Sequence, residues 1–473
     1  MRLRRVTVAV LLIAAATAEA QSPRARAMAT DSRPEPLASW VAPYAPVAAQ
    51  IIGTAYVNDQ GWQRLATLTD RFGARQSGSA ALEQAIAWAA DEMRRDGLEQ
   101  VHTEPVMVPR WVRGQESAEL VAPSRLPIVM LGLGNSVGTP AEGIEADVLV
   151  VRSWTELEAA GPRVRGHIVL FNVPFTDYGA GRPYRSDGPS RAARLGAVAT
   201  LVRSVGPDGL RLPHTGAMQY ADDAPRIPAA AIASEDADRL QRLSDRGERI
   251  VVRLRMDAHA APAVPSFNVV GEIVGRESPE QVVVVGGHLD SWDVGAGASD
   301  DGGGVVAAWE ALRLMRALGL RPRRTVRVVL FTDEENGGSG GLAYRDAHRA
   351  ELAQHVMMLE ADEGLFAPVR FGVSADAAAT AQLRAVTALL AGIDASTVTD
   401  GAGGADVEPS VAVAHMPNVS YDGSGAYFLL HHTPADTVDK IAPADVSRAS
   451  AALAVIAYVV ADLPTRLGAP LAN

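Results

Sequence analysis

QVVVVGGHLDSWDVGAGASDDGGG, residues 281–304, opens on four consecutive valines and closes on glycines and an aspartate pair. An uninterrupted valine run bounded by glycines reads as a strand buried on both faces, as in a sheet with helices above and below it. The flanking sequence agrees. FNVVGEIVG (267–275), RTVRVVLFT (324–332) and VMMLEAD (356–362) read as further strands. VVAAWEALRLMRAL (305–318), LAYRDAHRAEL (342–352) and AATAQLRAVTALLAG (378–392) read as the helices between them. Residues 265–467 are therefore predicted to be α/β, a mixed twisted sheet covered by helices on both faces. In such sheets ligands gather where strands give way to loops at their carboxyl ends.

Further out, residues 41–112 read as part of the same domain. The pattern is helical from Val47 to Leu98, with Ala81, Leu82, Ala85, Ile86, Ala89 and Met93 on one stripe, and a strand follows at 101–108. Residues 113–264 contain the short apolar runs VLVV, HIVLF, VATLV and IVVRLRM, which predict short strands with one or two helices and almost no chemistry. LGLGNSVG (131–138) is glycine-rich but lacks the dinucleotide fingerprint and reads as a turn. Residues 21–40, rich in Pro, Ala and Arg, read as a disordered tail. Residues 1–20 read as a cleaved signal peptide: Arg2, Arg4 and Arg5, then an apolar Val6–Ala16, then Ala18-Glu19-Ala20. The expected location is secreted or periplasmic.

With 473 residues, 48% hydrophobic and 21% charged, the chain reads as globular and long enough for two domains. Cleavage after Ala20 removes three arginines and Glu19, leaving 41 basic against 54 acidic residues. That balance argues against a nucleic-acid partner, and no apolar run is long enough to predict a membrane span. No cysteine is present, which excludes disulfides and thiolate metal sites.

The chemistry-bearing residues lie at the predicted strand ends. His288 and Asp290, two apart after the valine strand, point to the same side of an extended chain. Asp300 suits a carboxylate shared by two cations, and Asp301 reads equally as a helix cap. Glu334 and Glu335 diverge on a turn, so one can bind a metal while the other accepts a proton from the attacking water. LEAD supplies Glu360 and Asp362, and HHTPADT supplies His431, His432 and Asp436. Histidines 102, 167, 214, 259, 348, 355 and 415 lack carboxylates in a comparable context. A dinuclear zinc hydrolase uses such an inventory.

The ordered set HLD, DD, EE, then Asp and His resembles the co-catalytic zinc exopeptidases, which include secreted bacterial aminopeptidases. The similarity covers most of residues 45–465. It implies two zinc ions, with His288 and Asp362 on one, Glu335 and His432 on the other, and Asp300 bridging them. It also implies Glu334 as general base beside a metal-bound hydroxide, Asp290 orienting His288, and a cis Asp300–Asp301 peptide. Tyr427 would lie near the oxyanion, and Asp406 in DGAGGADVEP would contact a substrate terminus or close its loop. A protease-associated, β-rich domain would occupy residues 113–264. The expected substrate is a dipeptide or other short peptide losing one residue, and members of such families often form homodimers. The alternatives are an aminopeptidase, a deacylase of N-acyl amino acids, a one-zinc glutaminyl cyclase, and a binding protein that has lost its ions. In the deacylases the second domain usually follows the EE motif, whereas here the extra region precedes HLD.

Overall fold

The four valines pack in alternation. In strand Ser278–His288, Val283 and Val285 join a core with Trp309 and Leu312 of helix Gly303–Ala317 and Val455 and Ile456 of helix Pro443–Asp462. Val282 and Val284 face the other way, toward Tyr344 of helix Ser339–Ala347, Val407 and Met416. Both faces are thus dry, and each fully buried valine contributes roughly 1.5–3 kcal/mol of transfer free energy. The computed structural model describes residues 37–470, so the signal peptide expected over 1–20 and most of the tail expected over 21–40 fall outside the described residues.

Strand Ser278–His288 is central in an eight-stranded mixed sheet. The order across it is Glu99–Val112, His259–Ile273, Arg324–Phe331, Ser278–His288, His355–Glu363, Asn418–Asp422, Arg370–Ser374 and Val398–Asp400. The four strands from Arg324–Phe331 to Asn418–Asp422 run parallel, so their carboxyl ends lie along one edge of the sheet. Helix Gly303–Ala317 crosses close to that edge. A Cβ on Gly304 would lie 1.8 Å from the Ala361 carbonyl oxygen, so this approach requires glycine. The helical stretch from Val47 to Leu98 forms three helices, Ala45–Tyr56, Gln60–Phe72 and Ala80–Arg95. Helix Pro443–Asp462 is long and apolar enough to cross a membrane, but most of it is buried in the core.

A second eight-stranded sheet is drawn from residues 116–256, in the order Leu126–Ile128, Glu116–Ala122, Val251–Met256, Ile144–Val151, Ile168–Phe171, Ala199–Arg203, Ala229–Ile232 and Met130–Gly132. Both sheets belong to one unit, Leu37–Asn473. This region holds four α-helices, Trp154–Ala160, Tyr178–Ser186, Gly188–Arg194 and Ser234–Asp245, where one or two were expected. The middle two lie in DYGAGRPYRSDGPSRAAR (177–194), rich in glycine and proline. There the Asp177 carboxylate accepts the Ala180 amide at 2.8 Å and starts the first of them.

Candidate metal centre

Two histidines face each other across one carboxylate. Asp300 Oδ1 lies 3.4 Å from His288 Nε2, and Asp300 Oδ2 lies 3.2 Å from His432 Nε2. Each histidine has a further carboxylate, Asp362 Oδ1 at 3.1 Å from His288 Nε2 and Glu335 Oε2 at 3.1 Å from His432 Nε2. The other ring nitrogens sit against backbone carbonyls, His288 Nδ1 at 3.1 Å from Asp290 O and His432 Nδ1 at 3.2 Å from Thr215 O. These contacts turn both Nε2 atoms toward the carboxylates, the ring orientation a metal ligand requires.

Burial and charge crowding follow. Burial, aided by the Asp300 charge, pushes Glu335 up to about 7 against the pull of His432. Burial opposes charge on His288, yet Asp362, Asp290 and Asp300 outweigh it and hold the imidazole well above its ordinary value. Glu334 is raised well above the carboxylate range by burial, with Asp362, Glu335 and Asp290 adding to the effect. Asp300 Oδ2 and Glu335 Oε1 are buried without a hydrogen-bond partner. Imidazole and carboxylate donors, grouped in threes whose atoms lie within 4.8 Å of one another, fit a pair of zinc ions.

Residues 268–457 match the model of peptidase family M28. Carboxypeptidase Q of Bos taurus is 44% identical over 431 residues, 90% of this chain and 91% of that protein. Carboxypeptidase Q of Homo sapiens is 43% identical over 89% of this chain and 90% of its own length. The crystal structure of a peptidase M28 precursor from Shewanella amazonensis SB2B superposes with a TM-score of 0.87 at 32% identity, covering 91% of this chain and 99% of that one. This chain belongs to peptidase family M28. An aminopeptidase from Aneurinibacillus sp. strain AM-1 shares the fold, with a TM-score of 0.65 at 19% identity over 90% and 98% of the two chains. The mixed α/β layering is that of the M28 peptidases, and the paired clusters form the di-zinc site of a metallo-exopeptidase.

Other residues position the side chains of this centre. The Asp300–Asp301 peptide is cis. Asp301 and His431 also fall within metal-binding distance of the clusters. However, the Asp301 oxygens already accept the His288 amide and the Gly304 amide, both at 3.1 Å, and His431 Nε2 is 3.9 Å from Asp300. His431 instead stacks on His432, with ring centroids 3.5 Å apart. Glu360 is occupied by the Val407 amide at 3.0 Å. The Asp290 carboxylate, expected to orient His288, is 3.6 Å from Nδ1, farther than its own carbonyl. It accepts the Glu334 amide at 3.1 Å, the Glu335 amide at 3.3 Å and the Ser77 hydroxyl at 3.1 Å, so it aligns the glutamate turn.

A cavity of about 700 Å³ opens on the centre, lined by Asp300, Glu334, Glu335, Asp362, Tyr427 and His432 among others. Asp406 is buried and absent from its lining, while its neighbours Ala405 and Pro409 reach it. Direct contact of Asp406 with a substrate terminus is thus not what the structure shows.

Three supports surround the centre: Asp436, read in the sequence beside the histidine pair, and Arg75 and Thr215, which had no signal there. Asp436 accepts the Ser299 amide at 2.6 Å and the Asp300 amide at 3.1 Å. Arg75, fully buried, donates to the carbonyls of Leu289, Ala296 and Gly297. Thr215, from the region expected to carry almost no chemistry, holds His432 twice, since its amide also donates to the His432 carbonyl at 3.0 Å. His348, set aside in sequence for want of a carboxylate, lies 2.7 Å from Glu104 and 2.6 Å from Glu351, away from the metal centre.

Proposed function

We propose that this M28 peptidase hydrolyses dipeptides or releases single residues from short peptides, with Glu334 as its general base. The observation that carries this reading is the division of the Asp300 carboxylate between two His–carboxylate pairs beside a cavity into which Glu334 faces without serving either pair. Zinc ions bound there would lower the pKa of the attacking water and polarise the scissile carbonyl. His288, Asp362, Glu335, His432 and Asp300 are the residues that would hold them. Glu334 accepts the proton from the attacking water and delivers it to the departing amine nitrogen, and its raised pKa suits that exchange. Asp290 fixes the Glu334 backbone for this task. Tyr427, buried against the cavity, has its hydroxyl available to the developing oxyanion. A cavity of this volume suits a few residues of peptide.

Residues 113–264, which hold the second sheet, would be the protease-associated domain of such enzymes. The charged, apolar and small-residue succession of residues 1–20 supports export of the enzyme to a periplasm or beyond the cell.

The general base is tested with Glu334→Gln. The variant should retain two zinc ions per chain by elemental analysis and lose about 10²–10⁴-fold in kcat on a dipeptide. Turnover within threefold of the parent enzyme would remove Glu334 from that role.

A further inference from the structure

Arg113 stands where strand Glu99–Val112 of the first sheet passes into the second-sheet region, and its buried guanidinium is engaged at every nitrogen. Nε lies 2.8 Å from Asp293 Oδ2 and Nη2 2.6 Å from Asp293 Oδ1, a two-pronged ion pair. Nη1 donates to the Gly132 carbonyl at 2.5 Å, and Nη2 also donates to the Thr215 hydroxyl oxygen at 3.3 Å. Asp293 lies on the loop that leaves His288, whereas Thr215 is the residue whose carbonyl holds the His432 ring. One side chain therefore joins the loop after one histidine of the metal centre to the support behind the other. Arg185 also donates to the Thr215 carbonyl, at 3.3 Å, but its other partner, the Tyr178 hydroxyl, belongs to its own helix. It reinforces Thr215 without crossing between the sheets.

The glycine-rich stretch 131–138 completes the bracket. The Gly132 carbonyl accepts the Thr215 hydroxyl at 2.7 Å as well as Arg113. The hydroxyl thus donates to Gly132 and accepts from Arg113, which uses both of its capacities and fixes Thr215 in place. Two residues on, a Cβ on Gly134 would lie 2.0 Å from Cη2 of Trp292, so only glycine admits that ring. Trp292 directly precedes Asp293, packs in the second-sheet core and has its ring centroid 5.6 Å from that of His432. A histidine ligand is oriented by the bond at its other nitrogen, and here the carbonyl making that bond is itself clamped. We infer that Arg113 is a positioning residue of the metal centre: anchored on Asp293, it fixes Thr215 and through it the ring of His432. The second-sheet region thereby governs the zinc assigned to Glu335 and His432. This role rests on the di-zinc reading and is independent of which peptide is cleaved.

The test titrates the full zinc-loaded chain with a chelating dye, which should draw off the two ions in separable steps. His432→Ala identifies the step that belongs to His432. Arg113→Gln should weaken that step by about 10–100-fold and leave the other unchanged. Thr215→Val, which deletes the hydroxyl and keeps the carbonyl, should weaken the same step. The double variant should lose little more than the worse single one, because both changes cut one chain of bonds. Arg113→Lys should recover part of the loss, since the charge returns to Asp293 without the planar fork. On a dipeptide at limiting zinc, Arg113→Gln should lose kcat with KM nearly unchanged, and excess zinc should restore it. An unaltered His432 step in Arg113→Gln would overturn the inference. So would two steps weakened alike, or additive losses in the double variant, since Arg113 would then only join the sheets. Should Arg113→Gln fail to fold, Thr215→Val and Arg113→Lys decide by the same criteria. A parent chain that binds no zinc would fail the di-zinc reading along with this role, a result distinct from the others because no variant is needed to see it.

Discussion

His432 carries a backbone φ of 61°, in the left-handed region, and the partner of both its carbonyl and its ring is Thr215. A residue held there by its surroundings marks a place where geometry is imposed for function. Gly216 makes the imposition feasible. Its own φ is 131°, and any Cβ would collide with Arg185 and with His432 Nδ1. Gly216→Ala should therefore weaken zinc binding by about 10–100-fold, as loss of a ligand's supporting hydrogen bond does elsewhere. Competition with a chelating dye measures this, and an unchanged affinity would mean that Thr215 does not hold the ligand. The candidate ligands His288, Asp300, Glu335, Asp362 and His432 were legible in the sequence because imidazole and carboxylate side chains announce metal chemistry by residue type. Thr215 acts through a carbonyl, which every residue type possesses, so no residue identity could announce it. Arg75 and Arg185 were hidden for a different reason: they are two among 43 arginines, and only burial separates them from the rest.

At the scale of the element, strand Ser278–His288 was readable because four valines in succession can be satisfied only by apolar layers on both sides. The two faces should respond alike to cavities. Val283→Ala, on the face shared with Trp309, and Val284→Ala, on the face shared with Tyr344, should each cost about 1–3 kcal/mol. Urea unfolding of the zinc-loaded proteins gives both values, and a neutral Val284→Ala would contradict the double layering. Helix Tyr178–Ser186 was unreadable by the same logic. It is nine residues long, contains Pro183 and buries Arg185 rather than an apolar stripe, so periodicity had nothing to register. The bond from Arg185 to the Thr215 carbonyl, with one inside the helix to the Tyr178 hydroxyl, overrides its weak local preference.

Across the whole molecule, the two sheets meet over the cavity, the first bringing the carboxylates and the second the arginines. Stability as a whole should carry a separate pH signature away from the metal centre. His355 is fully buried, accepts from the Tyr344 hydroxyl at 2.9 Å and sits beside Arg327. Burial, reinforced by the Arg327 charge, lowers its pKa from 6.5 to about 4. Between those values the unfolded chain binds a proton that the folded chain refuses, so stability rises with pH across that interval and is lost as pH falls through it. The neutral ring's full contribution, up to about 3 kcal/mol, is present above pH 6.5 and gone near pH 4. Replacing His355 with glutamine removes the titrating group while leaving the zinc ligands untouched. Urea midpoints measured between pH 4.5 and 7 should therefore fall less steeply on acidification in His355→Gln than in the parent enzyme, and acid loss of zinc, common to both proteins, cancels in the comparison. Parallel profiles would show that His355 does not resist protonation in the folded state and that the Tyr344–Arg327 surroundings do not exclude its charge.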